Sequence, residues 1–300
     1  MYSKILIPLD GSKTAEQVLP YARFLAGKLK IPMELLAVVD IAEMGAHMSP
    51  EKARFLDTMV EDATRDSESY LRGVAAKIPG GAKYAVVKGQ AEDAIIEKGE
   101  SDKNVLIAMA THGRSGLNRF LMGSVAEKVL RGSANPLLLV RAAEEGKAEA
   151  EPGFKTIIVP LDGSELGEGV LPTVAELAKT LGIEVTLFRA YHIPYNAYGG
   201  NEGLYAVDYD SLISGVRDEA NEYLEKKVAE VKKLGVEKVS SVSKEGFAGD
   251  EIIRLANATT GDLIAMCSHG RSGVRRWVLG SVTEIVVRHT IDPVLVIRAK

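Results

Sequence analysis

The sequence predicts an α/β fold written twice: two open, doubly wound parallel sheets with helices on both faces. Three observations predict it. Short β-rich apolar runs alternate with segments whose apolar residues recur at helical spacing, the mark of right-handed strand–helix–strand crossovers and hence of parallel sheets. The chain has 300 residues, a length that suits about two domains. The second half also repeats the first. KILIPLDGS at 4–12 returns as KTIIVPLDGS at 155–164, and MATHGRSGLNRFLMGS at 109–124 returns as MCSHGRSGVRRWVLGS at 266–281, with nine of the sixteen positions identical.

Taken in order, ILIPLD is a first strand ending in turn residues. Ala15, Val18, Leu19, Ala22, Leu25, Ala26 and Leu29 follow at helical spacing. Pro20 inside that pattern predicts either a kink or a late helix start. MELLAVV (33–39) is a second strand, and Ser49-Pro50 supplies an N-cap and first residue for a long helix. KYAVVK (83–88) is a third strand, 91–99 a short helix, and NVLIAMA (104–110) a fourth strand, apolar on both faces as a buried parallel strand should be. A helix starts near Ser124, and LLLV (137–140) closes the set. The second copy places strands at 155–161, 184–190, 238–244, 262–267 and 294–297. Its charged stretch 215–234 carries Val216, Ala220, Tyr223, Leu224, Val231 and Leu234 on one side, an amphipathic helix.

The offset between copies is 152 residues at Asp10 and Asp162 but 157 at Gly113 and Gly270, so the second copy carries five extra residues between its second and third strands. That insert, 191–210, holds five of the ten tyrosines; it is either a lid or partner surface, or a plain crossover loop. The span 142–153, AAEEGKAEAEPG, is polar and acidic and reads as a linker. The expected division is therefore one domain at 1–141, a linker, and a second domain at 154–300.

Composition sets limits. With 41 acids against 37 bases the net charge is −4, which argues against non-specific nucleic-acid or membrane-surface binding. The opening MYSKILIPLDGS does not read as a signal peptide, and no apolar stretch approaches the ~18 residues of a membrane span. A single cysteine, Cys267, excludes an internal disulfide framework. The expectation is a cytoplasmic protein.

The repeated loop carries the chemistry. A helix N-terminus offers unpaired N–H groups and a partial positive charge, and glycine lets backbone approach an anion closely. Gly123-Ser124-Val125 opens a helix, Gly113 stands at the strand side of the loop, and Arg114 adds positive charge; the second copy offers Gly280, Ser281, Val282, Gly270 and Arg271 at the same spacing. The pattern points to a bound phosphate; the competing reading is that the glycines merely close a strand-to-helix connection. Neither G-x-x-x-x-G-K-[ST] nor G-x-G-x-x-G after the first strand is present, which argues against a P-loop NTPase and a dinucleotide oxidoreductase.

Each half resembles a universal stress protein domain. The resemblance rests on PLDGS, HGRSG, GSV-x-E, and the proline (Pro136, Pro293) before the last strand, and it covers nearly the whole chain. Nucleotide-binding members of that family carry G-x2-G-x9-G-[ST] after strand four and an aspartate at the end of strand one. The resemblance implies five-stranded sheets of order 3-2-1-4-5, ATP (or ADP or AMP) in the crevice, pairing of domains through strand five, and a regulatory role under stress. Carried onto this sequence, Asp10 and Asp162 would contact ribose or a bound metal. Val38 and Ala190, after strand two, would meet adenine through their backbone. Gly113, Gly123, Ser124 and Val125, with Gly270, Gly280, Ser281 and Val282, would hold ribose and phosphates. The motif's first glycine is replaced by Ala110 in one half and Cys267 in the other.

Several residues have a plainer reading beside the functional one. Asp10 would equally serve an Asx turn or helix cap. His112 and His269 have no evident partner acid and read as loop residues rather than catalytic bases. Cys267 reads as a small apolar strand-end residue sooner than a redox sensor. Three functions follow in order. The first is an ATP-binding regulatory module, with Mg²⁺ or Mn²⁺, slow in any turnover, acting on an unidentified regulatory partner. The second is a stress adaptor that binds no nucleotide and pairs through its strand-five edges, within the chain or as a homodimer. The third is an adenylyl-transferring enzyme, for which PLDGS lacks the glycine-rich first loop.

Overall fold

A computed structural model describes residues 2–46, 55–111, 122–141, 153–192, 209–259, 261–268 and 279–298. The chain forms two units, one built on Met1–Gly153 with Pro293–Arg298, the other on Phe154–Arg275 with Gly280–Asp292. The histidines of the repeated loop, Gly113, Arg114, Gly270 and Arg271, Ser49-Pro50, and residues 193–208 of the insert lie outside the described residues.

The first unit runs β1 (Lys4–Pro8), α1 (Lys13–Glu16), α2 (Leu19–Leu29), β2 (Met33–Val39), α3 (Ile41–Ala46), α4 (Leu56–Ala76), β3 (Lys83–Lys88), α5 (Ala91–Glu100), β4 (Val105–Ala110), α6 (Ser124–Gly132) and β5 (Leu137–Val140). The second half runs β6 (Thr156–Pro160), α7 (Glu165–Glu168), α8 (Leu171–Leu181), β7 (Glu184–Tyr191), α9 (Tyr209–Lys233), β8 (Val239–Glu245), α10 (Ala248–Asn257), β9 (Asp262–Cys267), α11 (Ser281–His289) and β10 (Val294–Ile297). The strand order is β3-β2-β1-β4-β5, and in the second half β8-β7-β6-β9-β10, so 3-2-1-4-5 appears in both. Every predicted strand is present within about two residues at its ends.

Burial follows from the parallel layering. Ile5, Leu6 and Ile7 are fully buried, and every residue of β4 and β9 is buried, because helices cover both faces of a doubly wound sheet. Of the two outcomes open at Pro20, the late helix start is realised. Ser12 caps the short turn α1, accepting from the Ala15 amide, and α2 begins afresh with Pro20 in its first turn, where a missing N–H costs nothing. Ser164, α7 and Pro172 repeat this in the second unit.

β10 packs with the first unit. It lies antiparallel to β5, with Val294 opposite Leu139 and Val296 opposite Leu137, and Arg298 donates to the carbonyls of Ser133 and Leu130. The β5 edge is thus covered by a strand of the same chain.

Candidate functional site

In each unit the winding reverses at the first strand. β1 pairs in parallel with β2 on one side and β4 on the other, and β6 does so with β7 and β9. The crossovers leave in opposite directions there, opening a crevice beyond the carboxyl ends of the strands. Asp10 follows β1 by two residues and Ala110 ends β4, the neighbouring parallel strand, so both lie at the same end of the sheet.

The turn after β1 is fixed by its own side chains. Gly11 has φ +84°, a left-handed conformation that only glycine adopts without strain. Asp10 Oδ1 accepts from the Ser12 amide at 2.9 Å and from Ser12 Oγ at 2.6 Å, and Ser12 Oγ accepts from the Ala15 amide at 3.1 Å. The second unit repeats this at Asp162, Gly163 and Ser164, with 3.0 Å, 2.6 Å and 3.0 Å to Gly167. The plainer reading of these aspartates, an Asx turn leading into a cap, is therefore realised in both copies. The same bonds hold each carboxylate at the crevice wall.

Val38 and Ala190 lie inside strands two, not after them, which corrects their expected placement. Their backbone still reaches the crevice, for a reason that strand geometry supplies. In a parallel ladder, successive residues bond to alternate neighbours. Leu36 accepts from the Leu9 amide at 2.8 Å, and Val39 accepts from Gly89 at 3.1 Å on the other side. Val38, two residues beyond Leu36, therefore directs its N–H and C=O toward the β1 side, past the point where β1 has ended. Phe188 accepts from Leu161 at 2.8 Å and Tyr191 from Gly246 at 2.9 Å, so Ala190 is oriented likewise.

Across the crevice stand the starts of α6 and α11. Gly123 is the N-cap of α6 (φ −61°, ψ 145°) and Gly280 that of α11 (φ −62°, ψ 140°); among the described residues no side chain caps either helix. The cap amides are used internally: Gly123 donates to the Thr111 carbonyl at 2.7 Å and Gly280 to Ser268 at 2.9 Å. The first helical bonds are those of Glu127 to Gly123 and Glu284 to Gly280, both 2.9 Å. The amides of Ser124, Val125 and Ala126, like those of Ser281, Val282 and Thr283, precede them and have no acceptor inside the helix. They add to the positive end of the helix dipole. Ser124 and Ser281 are exposed there, and Val125 and Val282 half-buried.

Ala110 and Cys267, at the motif's first glycine, are both buried strand ends; Ala110 pairs with Val140. Cys267 offers its carbonyl to Thr283 Oγ1 at 3.0 Å, a bond that ties the start of α11 to β9. Sequence reading missed Thr283, and it missed Thr111 and Ser268, whose carbonyls seat the two cap glycines. The only signal was the small hydroxyl residue before each loop histidine. Among the described residues no group of three or more His, Cys, Asp or Glu side chains is arranged to hold a metal ion.

The model of the universal stress protein family matches residues 1–141 and again 153–298. The chain belongs to the universal stress protein family. Universal stress protein MJ0531 of Methanocaldococcus jannaschii is 30% identical over 141 residues, spanning 47% of this chain and 83% of that protein. Universal stress protein MJ0577 of the same organism is 28% identical over 155 residues, 47% of this chain and 96% of its own. Such relatives correspond to one half, as a tandem pair requires. The crystal structure of a universal stress protein from Archaeoglobus fulgidus aligns over 100% of both chains with a TM-score of 0.72 and 22% identity, and shares the fold. No helix among the described residues of this family member is long and apolar enough to cross a membrane.

Proposed function

We propose that each crevice binds an adenine nucleotide, ATP first among them, and that the chain is a nucleotide-responsive stress regulator. The observation that carries this reading is the pairing of two backbone features at one mouth. Val38 and Ala190 present an N–H and a C=O beyond the end of strand one, suited to the edge of a purine. The amides of Ser124 to Ala126 and of Ser281 to Thr283, without acceptors inside their helices, present donors suited to phosphate. Both features occur twice with the same geometry. Gly113 and Gly270 extend the phosphate side in the family resemblance, and Arg114 and Arg271 add positive charge beside them in the sequence.

A divalent ion, Mg²⁺ or Mn²⁺, fits this reading as a companion of the phosphates rather than as a resident of a protein cage. Asp10 and Asp162 are the carboxylates at the crevice wall. A second reading, a scaffold without nucleotide, draws on the cap amides of Gly123 and Gly280 and the Asx bonds of Asp10 and Asp162, all of which the protein satisfies by itself.

The two readings separate on one preparation. The purified chain is denatured and the supernatant examined for nucleotide, and the nucleotide-free chain is titrated with ATP by calorimetry. Released ATP or ADP, or a saturable heat, supports nucleotide binding; a clean supernatant with no heat supports the scaffold.

A further inference from the structure

The two units differ at one place beside their equivalent turns. Arg189 of β7 follows Phe188, which pairs with Pro160; in the first unit the residue after Leu36, which pairs with Pro8, is Ala37. The Arg189 side chain is only 11% exposed. Its guanidinium lies over the Tyr223 ring, 4.5 Å from the centroid, and its Nη atoms stand 3.4 Å from where a Cβ on Gly163 would be. Gly163 is the middle of the Asp162–Ser164 turn, with φ +84°. Tyr223 in turn donates to Glu168 Oε1 at 2.9 Å, and Lys227 holds Glu168 Oε2 at 2.6 Å. Burial pushes the Tyr223 phenol well above its usual range, with the Glu168 bond adding to it. The outer side of Arg189 is closed by Glu219, 3.6 Å away and largely exposed.

Among the described residues the first unit has the middle of this chain with a local lysine on it: Lys13 of α1 itself holds Glu16 Oε2 at 2.9 Å. Tyr70 donates to Glu16 Oε1 at 3.2 Å, but Ala37 stands at the place of Arg189 and Val74 at the place of Lys227. In the second unit Arg189 and Lys227 together link the Asp162 turn, α7 and α9, whereas Lys13 bonds within α1. A planar guanidinium can stack on a ring and lie flat against a glycine at once, which a lysine cannot.

We propose that Arg189 is a positioning residue that makes the Asp162 turn and α9 respond as one body, so that a ligand in the second crevice is felt along α9 while the first crevice lacks such a relay to α4. The relay rests on the nucleotide reading for its ligand; the joining of turn and helix does not. The chain would then hold one plain site and one output site, the output being the helix that begins where the tyrosine-rich insert ends.

The test is hydrogen exchange resolved by segment on the full chain, wild type against Arg189→Met, with and without ATP. Arg189→Met keeps an apolar stem of similar length, and Arg189→Lys, which keeps the charge but cannot stack, serves if the first variant does not fold. Without nucleotide, losing the guanidinium is expected to speed exchange at least about fivefold in both 163–168 and 216–227, leaving 11–16 and 63–74 unchanged. With ATP, wild type should gain protection in both segments, and the variant in the turn alone. Unchanged ligand-free exchange in the two segments overturns the proposal whether or not ATP binds. So does a variant whose α9 responds to ATP as wild type does. If ATP protects neither crevice in wild type, the nucleotide reading fails, and the ligand-free comparison still decides the joining of turn and helix.

Discussion

The amide of Leu9 donates to the carbonyl of Leu36 at 2.8 Å, the last bond between β1 and β2. Two residues further on, Val38 turns the same pair of backbone groups into the crevice. That relation is repeated at Leu161 and Phe188, and on the proposed reading it leaves the end of strand two facing a purine edge; four expectations about the crevice and the fold around it can be checked by substitution.

Gly123→Val is expected to weaken ATP binding at the first crevice at least about tenfold while costing about 1 kcal/mol of stability, because the cap backbone (φ −61°, ψ 145°) is open to valine but its branched side chain stands where phosphate approaches. Calorimetry in a Gly280→Val background isolates the first site. Unchanged affinity with an intact fold contradicts the placement of phosphate there.

Asp10→Ala removes an acceptor for two bonds and should destabilise the first unit by about 1–2 kcal/mol in urea denaturation. Asp10→Asn keeps the Oδ1 acceptor and should restore most of that. If Asn restores stability but not ATP affinity, the charge of Asp10 serves the ligand and the oxygen serves the turn. Equal loss of stability in both variants contradicts the Asx-turn role.

Acidity should act through the second unit. Burial, with the like charge of Asp262 beside it, pushes the Asp292 carboxyl up to about 6, and its Oδ2 is buried without a hydrogen-bond partner among the described residues. A raised folded value means that the fold favours the protonated form. The contribution is whole below about pH 4, the unfolded value, and is lost as pH rises through about 6. Asn135 holds the equivalent place in the first unit and donates from Nδ2 to the carbonyls of Asp102 and Val105. Asp292→Asn is therefore expected to stabilise the protein by on the order of 1 kcal/mol at pH 8, with the advantage shrinking toward pH 4. A difference between the two proteins that does not vary across that range contradicts it.

The ends of α2 and α8 offer a reciprocal pair. Lys30 caps α2 at φ +55°, where Gly182 caps α8 at φ +70°. A left-handed cap costs a side-chain-bearing residue about 1 kcal/mol, so Lys30→Gly should raise the melting temperature and Gly182→Lys lower it. Shifts of the same sign in both contradict the cap assignment.

How much of this was legible in the sequence depends on how local the cause is. The strands are visible because burial on both faces makes them continuous apolar runs, as in VLIAMA. The turn at Asp10 is visible because Asp-Gly-Ser carries its conformation within three residues. Pro20 left two outcomes open, since a kinked helix and a fresh start satisfy the same missing N–H; Ser12, capping a separate turn, decides it. Strand two was legible at 33–39 and 184–190, which already holds Val38 and Ala190; that their backbone faces the β1 and β6 side needed the pairing register. The stacking of Arg189 on Tyr223 was out of reach, since it joins a strand and a helix 34 residues apart. Gly123 and Gly280 were legible as the openings of their helices, but their place as N-caps and the use of their own amides by Thr111 and Ser268 needed the fold.

The most direct test of the central claim is a crystal structure of the chain grown with ATP. The account predicts the purine edge against the backbone of Val38 and of Ala190, and phosphate oxygens within hydrogen-bond reach of the amides of Ser124 to Ala126 and of Ser281 to Thr283. Nucleotide bound elsewhere, or crevices that stay empty at saturating ATP, would contradict it.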